Sequence, residues 1–215
     1  MQNPTFTLSD YVQFCEKAGE YGNFFEFVDQ QIVDRHSSQI VDTEFVNFVL
    51  NNSVHDFTDL YEIFMATSTH SIISTSFQMS LWELLNALGF MVYCENRRIY
   101  IKMNGKVRIP DVLLTQFDLE IRNEKDLLEN PFLIGEVLSP STENVDFTEK
   151  LIEYQSITSL KEYIIISQNE AKIWQHSRQE NSWIETVYEG IDEILSIDFL
   201  NIAIPLAKIY KNVKF

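Results

Sequence analysis

Three ionisable residues in this chain are each set in apolar sequence. Asp111 lies in Arg-Ile-Pro-Asp-Val-Leu-Leu, Glu136 in Phe-Leu-Ile-Gly-Glu-Val-Leu-Ser-Pro-Ser-Thr, and Lys150 in Asp-Phe-Thr-Glu-Lys-Leu-Ile-Glu-Tyr. A carboxylate at a buried strand position needs a cation or a dense set of hydrogen bonds to offset its lost hydration. Two such carboxylates with an ammonium nearby are what a hard divalent metal and a phosphate ester require.

Strands and a helix must bring these residues together. Asp111 sits on a segment read as a strand from Val107 to Leu114, and Glu136 on one from Phe132 to Leu138. Side chains alternate along a strand, so Glu136 and Leu138 share one face while Val137 takes the other. If the two strands are neighbours, the carboxylates can converge on one cation, with water and a backbone carbonyl completing the shell. Asp146, with Glu149 three residues on, is a capping arrangement for a helix through about Ser156. Lys150 then stands one turn into that helix, with Tyr154 on the same face at i+4.

The remaining elements follow from period and punctuation. Thr7 to Asp10 cap a short helix carrying Tyr11, Val12, Phe14 and Cys15. Asn23 to Val33 reads as one strand or as a hairpin around Asp29-Gln30. Glu44 to Leu50 and Asp56 to Ala66 are read as a pair of short helices, inserted within about residues 34–67. His70 opens the clearest helix, with an apolar stripe at Ile73, Phe77, Leu81, Leu84 and Leu88, Trp82 read as part of the helical core stripe with Phe77, and Gly89 to end it. Phe90 to Cys94 and Arg98 to Met103 are strands, the latter turning at Asn104-Gly105 to form a hairpin with the Val107 segment. Tyr163 to Ile166 is apolar on both faces, as a central strand is. Lys172 to His176 and Trp183 to Tyr188 extend the sheet, and Ile204 to Tyr210 packs last. This order predicts an α/β architecture with helices against a mixed sheet, in one domain spanning residues 1–215.

Composition narrows the function classes. A hydrophobic fraction of 45% with six Gly and five Pro belongs to a globular chain rather than a disordered one. Cys15 and Cys94 are too few for a disulfide framework or a thiolate metal site. The N-terminus has neither a basic nor an apolar leader region, and no stretch approaches the ~18 apolar residues of a membrane helix. The expectation is a soluble cytoplasmic protein. The net charge of −16 disfavours sequence-independent grip on a polyanion. That charge is uneven: the first sixty residues hold ten acids against Lys17 and Arg35. Between Glu95 and Pro110 the balance reverses, with Arg97, Arg98, Lys102, Lys106 and Arg108. This basic stretch reads either as a solvated hairpin or as a surface for approaching phosphates.

Taken together, Ile109-Pro-Asp-Val, Gly135-Glu-Val-Leu-Ser-Pro-Ser-Thr and Asp146-x-x-x-Lys150-x-x-x-Tyr154 resemble the Uma-two family of restriction-endonuclease-like proteins within the PD-(D/E)XK nuclease superfamily. Leu160-Lys-Glu-Tyr-Ile-Ile-Ile, the closing Ala203-Ile-Pro-Leu-Ala-Lys-Ile-Tyr and the helix-opening His70 extend the resemblance over roughly residues 23–210. It implies an αβββαβ core with additions at the N-terminus, and a Mg²⁺ (or Mn²⁺) held by Asp111, Glu136 and the backbone carbonyl of Val137. Lys150 would be the catalytic lysine. The superfamily pattern places that lysine two residues after the second acid, where this chain has Leu138. In the family it comes from the following helix, and Lys150 matches that position.

Other residues carry two readings each. Glu26 matches an N-terminal glutamate common in the family and is either a third acid at the site or an outward-facing strand residue. His70 either contacts a phosphate or water, or caps and packs. Tyr154 either orients the site or packs. Asp146 reads as a cap, and His36, His55 and His176 have no partner at metal-ligand spacing. The implied activity is an endonuclease hydrolysing phosphodiester bonds of nucleic acid, DNA first, with a homodimer as one way of cutting both strands. Two further readings stand beside it: a nuclease-fold binding or regulatory protein without cleavage, and a metal-dependent hydrolase of small phosphoesters.

Overall fold

Thr7 and Asp10 start the first helix, α1 (Leu8–Ala18), by capping each other. The Thr7 hydroxyl accepts from the Asp10 backbone N–H at 3.1 Å, and the Asp10 carboxylate accepts from the Thr7 N–H at 2.8 Å. A hairpin follows, β1 (Phe25–Val28) and β2 (Gln31–Asp34). Its two-residue turn puts Asp29 and Gln30 at φ 49° and 62°, the conformation whose twist matches the flanking strands. The computed structural model describes residues 5–51, 68–180 and 182–215. The second helix expected at Asp56 to Ala66 lies outside the described residues. Its partner is present as α2 (Thr43–Asn51).

Next come α3 (Ser68–Leu85), β3 (Phe90–Cys94), β4 (Ile99–Ile101), β5 (Lys106–Arg108), β6 (Val112–Gln116) and β7 (Leu133–Val137). The chain continues through α4 (Glu143–Phe147), α5 (Glu149–Gln155), β8 (Glu162–Ile166), β9 (Lys172–Gln179) and β10 (Ser182–Glu189). It closes with β11 (Ile194–Ile197), β12 (Ile202–Pro205) and α6 (Leu206–Ile209).

The main sheet has six strands in the order β10-β9-β8-β7-β6-β3, in which β7 and β8 are parallel and the other neighbours antiparallel. Helix α3 covers one face. Its Ile73, Phe77, Leu81 and Leu85 pack against Val112, Leu114, Leu133 and Ile164. The opposite face carries Leu113, Ile134, Tyr163 and Ile165 against Tyr154 of α5. Strand β8 therefore alternates Tyr163 and Ile165 to one layer, Ile164 and Ile166 to the other, which is why it reads as apolar throughout. A second sheet, β2-β1-β5-β4, packs its own core against α1 and α2. Close approach of α3 to the main sheet depends on Gly135, where a Cβ would lie 2.9 Å from the Phe77 ring.

The structure corrects four readings. The segment from Val107 to Leu114 is two strands in two sheets, β5 and β6, separated by Ile109-Pro110-Asp111. Pro110 has no N–H to continue a ladder, and the Ile109 N–H is taken by the Glu26 carboxylate at 2.9 Å. The buried stripe of α3 runs Ile73, Phe77, Leu81, Leu85. Leu84, Trp82 and Leu88 are 42%, 55% and 60% exposed, so they face away from that core. The helix expected from Asp146 is split at Thr148 into α4 and α5, which places Asp146 inside α4 rather than at a cap. Finally, the basic stretch is a hairpin solvated only at its tip, where Lys102 is exposed, and most of its cations are paired with acids of the chain rather than forming an open cationic surface. Arg108 is buried against Glu26 and Glu153, Lys106 pairs with Glu153 and Asp29, Arg97 with Asp126, and Lys102 with Glu129.

Candidate functional site

Register brings the two acids together. Antiparallel β6 and β7 pair Val112 with Gly135, so one step further along the ladder Asp111 stands opposite Glu136. Directly opposed residues of an antiparallel pair share a face. Leu138 shares that parity but is buried among Ile134, Tyr154 and Ile165, in a core position unsuited to an ammonium. Lys150 arrives instead from the second residue of α5.

Each group is tightly held. One Asp111 oxygen accepts from Arg35 Nη2 at 2.5 Å. The other accepts from His70 Nε2 at 3.0 Å and from the Val137 N–H at 2.7 Å. Glu136 Oε1 accepts from Lys150 Nζ at 3.0 Å and from the Tyr154 hydroxyl at 2.8 Å. Lys150 Nζ also lies 2.8 Å from Asp146 Oδ1, whose second oxygen accepts from the Thr142 hydroxyl at 3.0 Å. Asp111, Glu136, Asp146, Lys150, Arg35 and His70 are all buried.

Burial and neighbours set opposite protonation tendencies. Burial works against ionised Asp111, but His70, Arg35 and Lys150 outweigh it and hold the carboxyl well below its usual range. For Glu136 burial dominates. Lys150 lowers its pKa, Asp111 and Asp146 raise it, and the balance is pushed up to about 7. Lys150 is strongly raised: burial disfavours its charge, but Asp146, Glu136 and Glu26 more than compensate. Lys150 is surrounded by acids that favour its charge, while Glu136 is buried and faces other acids as well as the ammonium. Burial also opposes a charged His70, yet the charge and hydrogen bond of Asp111, with Glu95 behind, raise its pKa.

Between these groups is a cavity of about 20 Å³ lined by Arg35, His70, Asp111, Glu136, Val137 and Lys150, among others. That is room for about one water-sized species, since ~10–15 Å³ is the minimum for a water. Buried carboxylates around such a space are hard oxygen donors of the kind magnesium and manganese select. Burial, with Asp111 and Asp146 beside it, disfavours an ionised Glu136, and a dication bound to its oxygens would favour the ionised form. The donor set therefore fits Asp111 and Glu136 holding a divalent ion. His70, Glu95 and Asp111 form a second possible donor set, each presenting one ligand atom within 4.8 Å of the others, with Asp111 common to both.

Glu26 is not outward-facing. It is buried beside the site, accepting from Arg108 Nη1 at 3.0 Å and from the Ile109 N–H, and it helps raise the Lys150 pKa. Sequence reasoning missed Arg35, Asp146 and Glu95. Asp146 carried a signal, since it stands four residues before Lys150 on one helical face. Arg35 carried a weaker one, as one of two cations among ten acids.

Residues 59–207, more than half of the chain, match the family described as "Uma2: Putative restriction endonuclease". The chain belongs to the Uma2 family. Among curated relatives, an uncharacterized protein of Synechocystis sp. is 25% identical over 164 residues, covering 75% of this chain and 85% of the relative. A second uncharacterized Synechocystis protein is 22% identical over 139 residues, covering 64% and 78%. Among solved structures, a protein of Anabaena variabilis titled a putative nuclease belonging to DUF820 superposes with a TM-score of 0.60 at 12% identity, over 86% of this chain and 89% of that one. At that identity the likeness concerns the fold. The restriction-endonuclease-like order is present as α3, β3, β6, β7, the α4–α5 pair and β8, with the β4–β5 hairpin diverted into the second sheet. This Uma2 chain thus has a nuclease-family core. No helix among its described residues is long and apolar enough to cross a membrane.

Proposed function

We propose that the protein is a divalent-metal-dependent endonuclease of the cytoplasm that hydrolyses phosphodiester bonds of nucleic acid, DNA in the first instance. The observation that carries this reading is the cavity shared by Asp111, Glu136 and Lys150, contributed by the residue entering β6, by β7 and by α5. Asp111 and Glu136, with the Val137 carbonyl, would hold Mg²⁺ or Mn²⁺. A hard dication there supplies Lewis-acid activation of water and neutralises charge on the attacked phosphate. Lys150, fixed between Glu136 and Asp146, presents a permanent positive charge where phosphate oxygens become more negative. Tyr154 orients Glu136 through its hydroxyl, and His70 orients Asp111 through Nε2. Two copies related by a two-fold axis would present two such sites to a duplex.

Plasmid or oligonucleotide cleavage in millimolar Mg²⁺ or Mn²⁺ tests the reading. Asp111→Ala and Glu136→Ala should each abolish metal-dependent cleavage, and undiminished cleavage by both variants would refute it. A second reading, a nuclease-fold binding or regulatory protein without cleavage, is favoured by the engagement of both Asp111 oxygens and by the internally paired basic stretch. Absence of Mg²⁺ or Mn²⁺ binding by calorimetry would select it.

A further inference from the structure

Arg35 lies on the turn leaving β2, and the sequence motifs around the site do not include it. The turn is built by Asp34, whose Oδ1 accepts from the backbone N–H groups of His36 and Ser37 and from the Ser37 hydroxyl. The Arg35 N–H is tied to the Phe24 carbonyl at 2.9 Å, so the backbone is fixed from two sides. From this anchored base the side chain runs into the cavity, and its Nη2 meets Asp111 Oδ1 at 2.5 Å. The other end of the guanidinium has one long contact, 3.5 Å from the Glu95 carbonyl.

The second Asp111 oxygen is committed to neutral and cationic donors that hold the fold, the Val137 N–H and His70. Oδ1 is consequently the oxygen through which Asp111 can accept a further cation, and Arg35 is on it. The charges agree. Asp111, Glu136 and Asp146 face Arg35, His70 and Lys150, so this inner group is close to neutral without a metal once His70 is protonated. A dication added to that arrangement would meet three fixed cations within a buried space.

We propose that Arg35 is a built-in competitor for the metal: its guanidinium occupies the Asp111 oxygen that a divalent cation needs, and loading requires the side chain to leave Asp111 while its backbone turn stays in place. This rests on the reading of Asp111 and Glu136 as metal ligands. Arg35 is accordingly a gating residue rather than a ligand. It lets the chain fold with a closed, charge-compensated site, where two unpaired buried carboxylates would be costly. It also sets a threshold of metal concentration below which the site stays shut.

The test is a calorimetric titration of the full chain with MnCl₂, comparing wild type with Arg35→Gln, which keeps an amide donor toward Asp111 and removes the charge. Loss of a charge-assisted contact on the ligand should tighten Mn²⁺ binding by about tenfold to a hundredfold. Equal or weaker Mn²⁺ binding by the variant, with wild type binding, overturns the gate and leaves the metal site standing. No binding by either protein overturns the metal site and the gate with it. Should Arg35→Gln fail to fold, wild type alone decides the matter by NMR with diamagnetic Mg²⁺. The side-chain Nε–Hε resonance of Arg35 must move as the metal saturates, and a resonance that stays fixed at saturation refutes the displacement.

Discussion

Replacing Lys150 by Met probes how the site is held together. The ammonium lies 3.0 Å from Glu136 and 2.8 Å from Asp146, and all three side chains are buried. Met fills the stem volume but leaves two carboxylates facing each other and Asp111 without their shared cation. Removing one partner of a buried ion pair costs about 3–5 kcal/mol. For a chain of this size each kcal/mol lowers Tm by about 2–4 °C, so the loss at pH 8 should be roughly 6–20 °C. The penalty depends on pH. Glu136 has its folded pKa raised to about 7, so the stability linked to its neutral form is fully present below its unfolded value and is lost as pH rises through 7. Asp146 is raised as well, chiefly by burial. Without Lys150 both carboxyls hold their protons to still higher pH. At pH 5 Glu136 is mostly neutral in both proteins, and the remaining cost approaches that of polar groups lacking a partner, about 1–3 kcal/mol. The measurement is thermal unfolding by circular dichroism at pH 5 and pH 8 at one ionic strength. A Tm difference between variant and parent that is as large at pH 5 as at pH 8 would refute the account.

Three further outcomes follow from the packing. Gly135→Ala puts a methyl group 2.9 Å from the Phe77 ring and should destabilise by about 1–3 kcal/mol, read as a lower denaturant midpoint; an unchanged midpoint would show that α3 shifts freely. Glu162, buried on β8 and accepting from Ser177 and Gln175, has its pKa raised to about 7 by burial. That stability is present at acid pH and lost above 7, so Glu162→Gln should be more stable than the parent at pH 8 and no better near pH 4.5, as thermal scans would reveal. Leu138→Lys restores the superfamily spacing but drives an ammonium into the cluster around Tyr154 and Ile165. It should lower Tm and give no recovery of metal-dependent cleavage in a Lys150→Met background; recovery would mean that the lysine position is interchangeable.

Local chemistry was the legible part of this chain. The Thr7–Asp10 cap, the Asp29-Gln30 turn and the run from Tyr163 to Ile166 each declare their element through a few adjacent residues. Alternation along β7 also separated Glu136 from Val137, whereas the packing of Leu138 against Tyr154 and Ile165 was not legible. What the pattern hid was set by distant partners. Arg35 meets Asp111 across 76 positions, and Arg108 meets Glu26 across 82. No local periodicity encodes such pairings. The sheet switch at Pro110 was written in the missing N–H, but the apolar residues on either side imitate one continuous strand. On α3, Leu84 and Leu85 are both apolar and adjacent, and only the sheet packed against the helix shows that Leu85 is the buried one.

The internal pairing of the basic stretch has a consequence for encounter with nucleic acid. A phosphate backbone is usually drawn in by the entropy of the small ions it sheds when lysines and arginines take their place. In this protein Arg97, Lys102, Lys106 and Arg108 are already matched to its own acids, so they offer few places for that exchange. A strand arriving here would shed few sodium or potassium ions, and its affinity would vary little with their concentration.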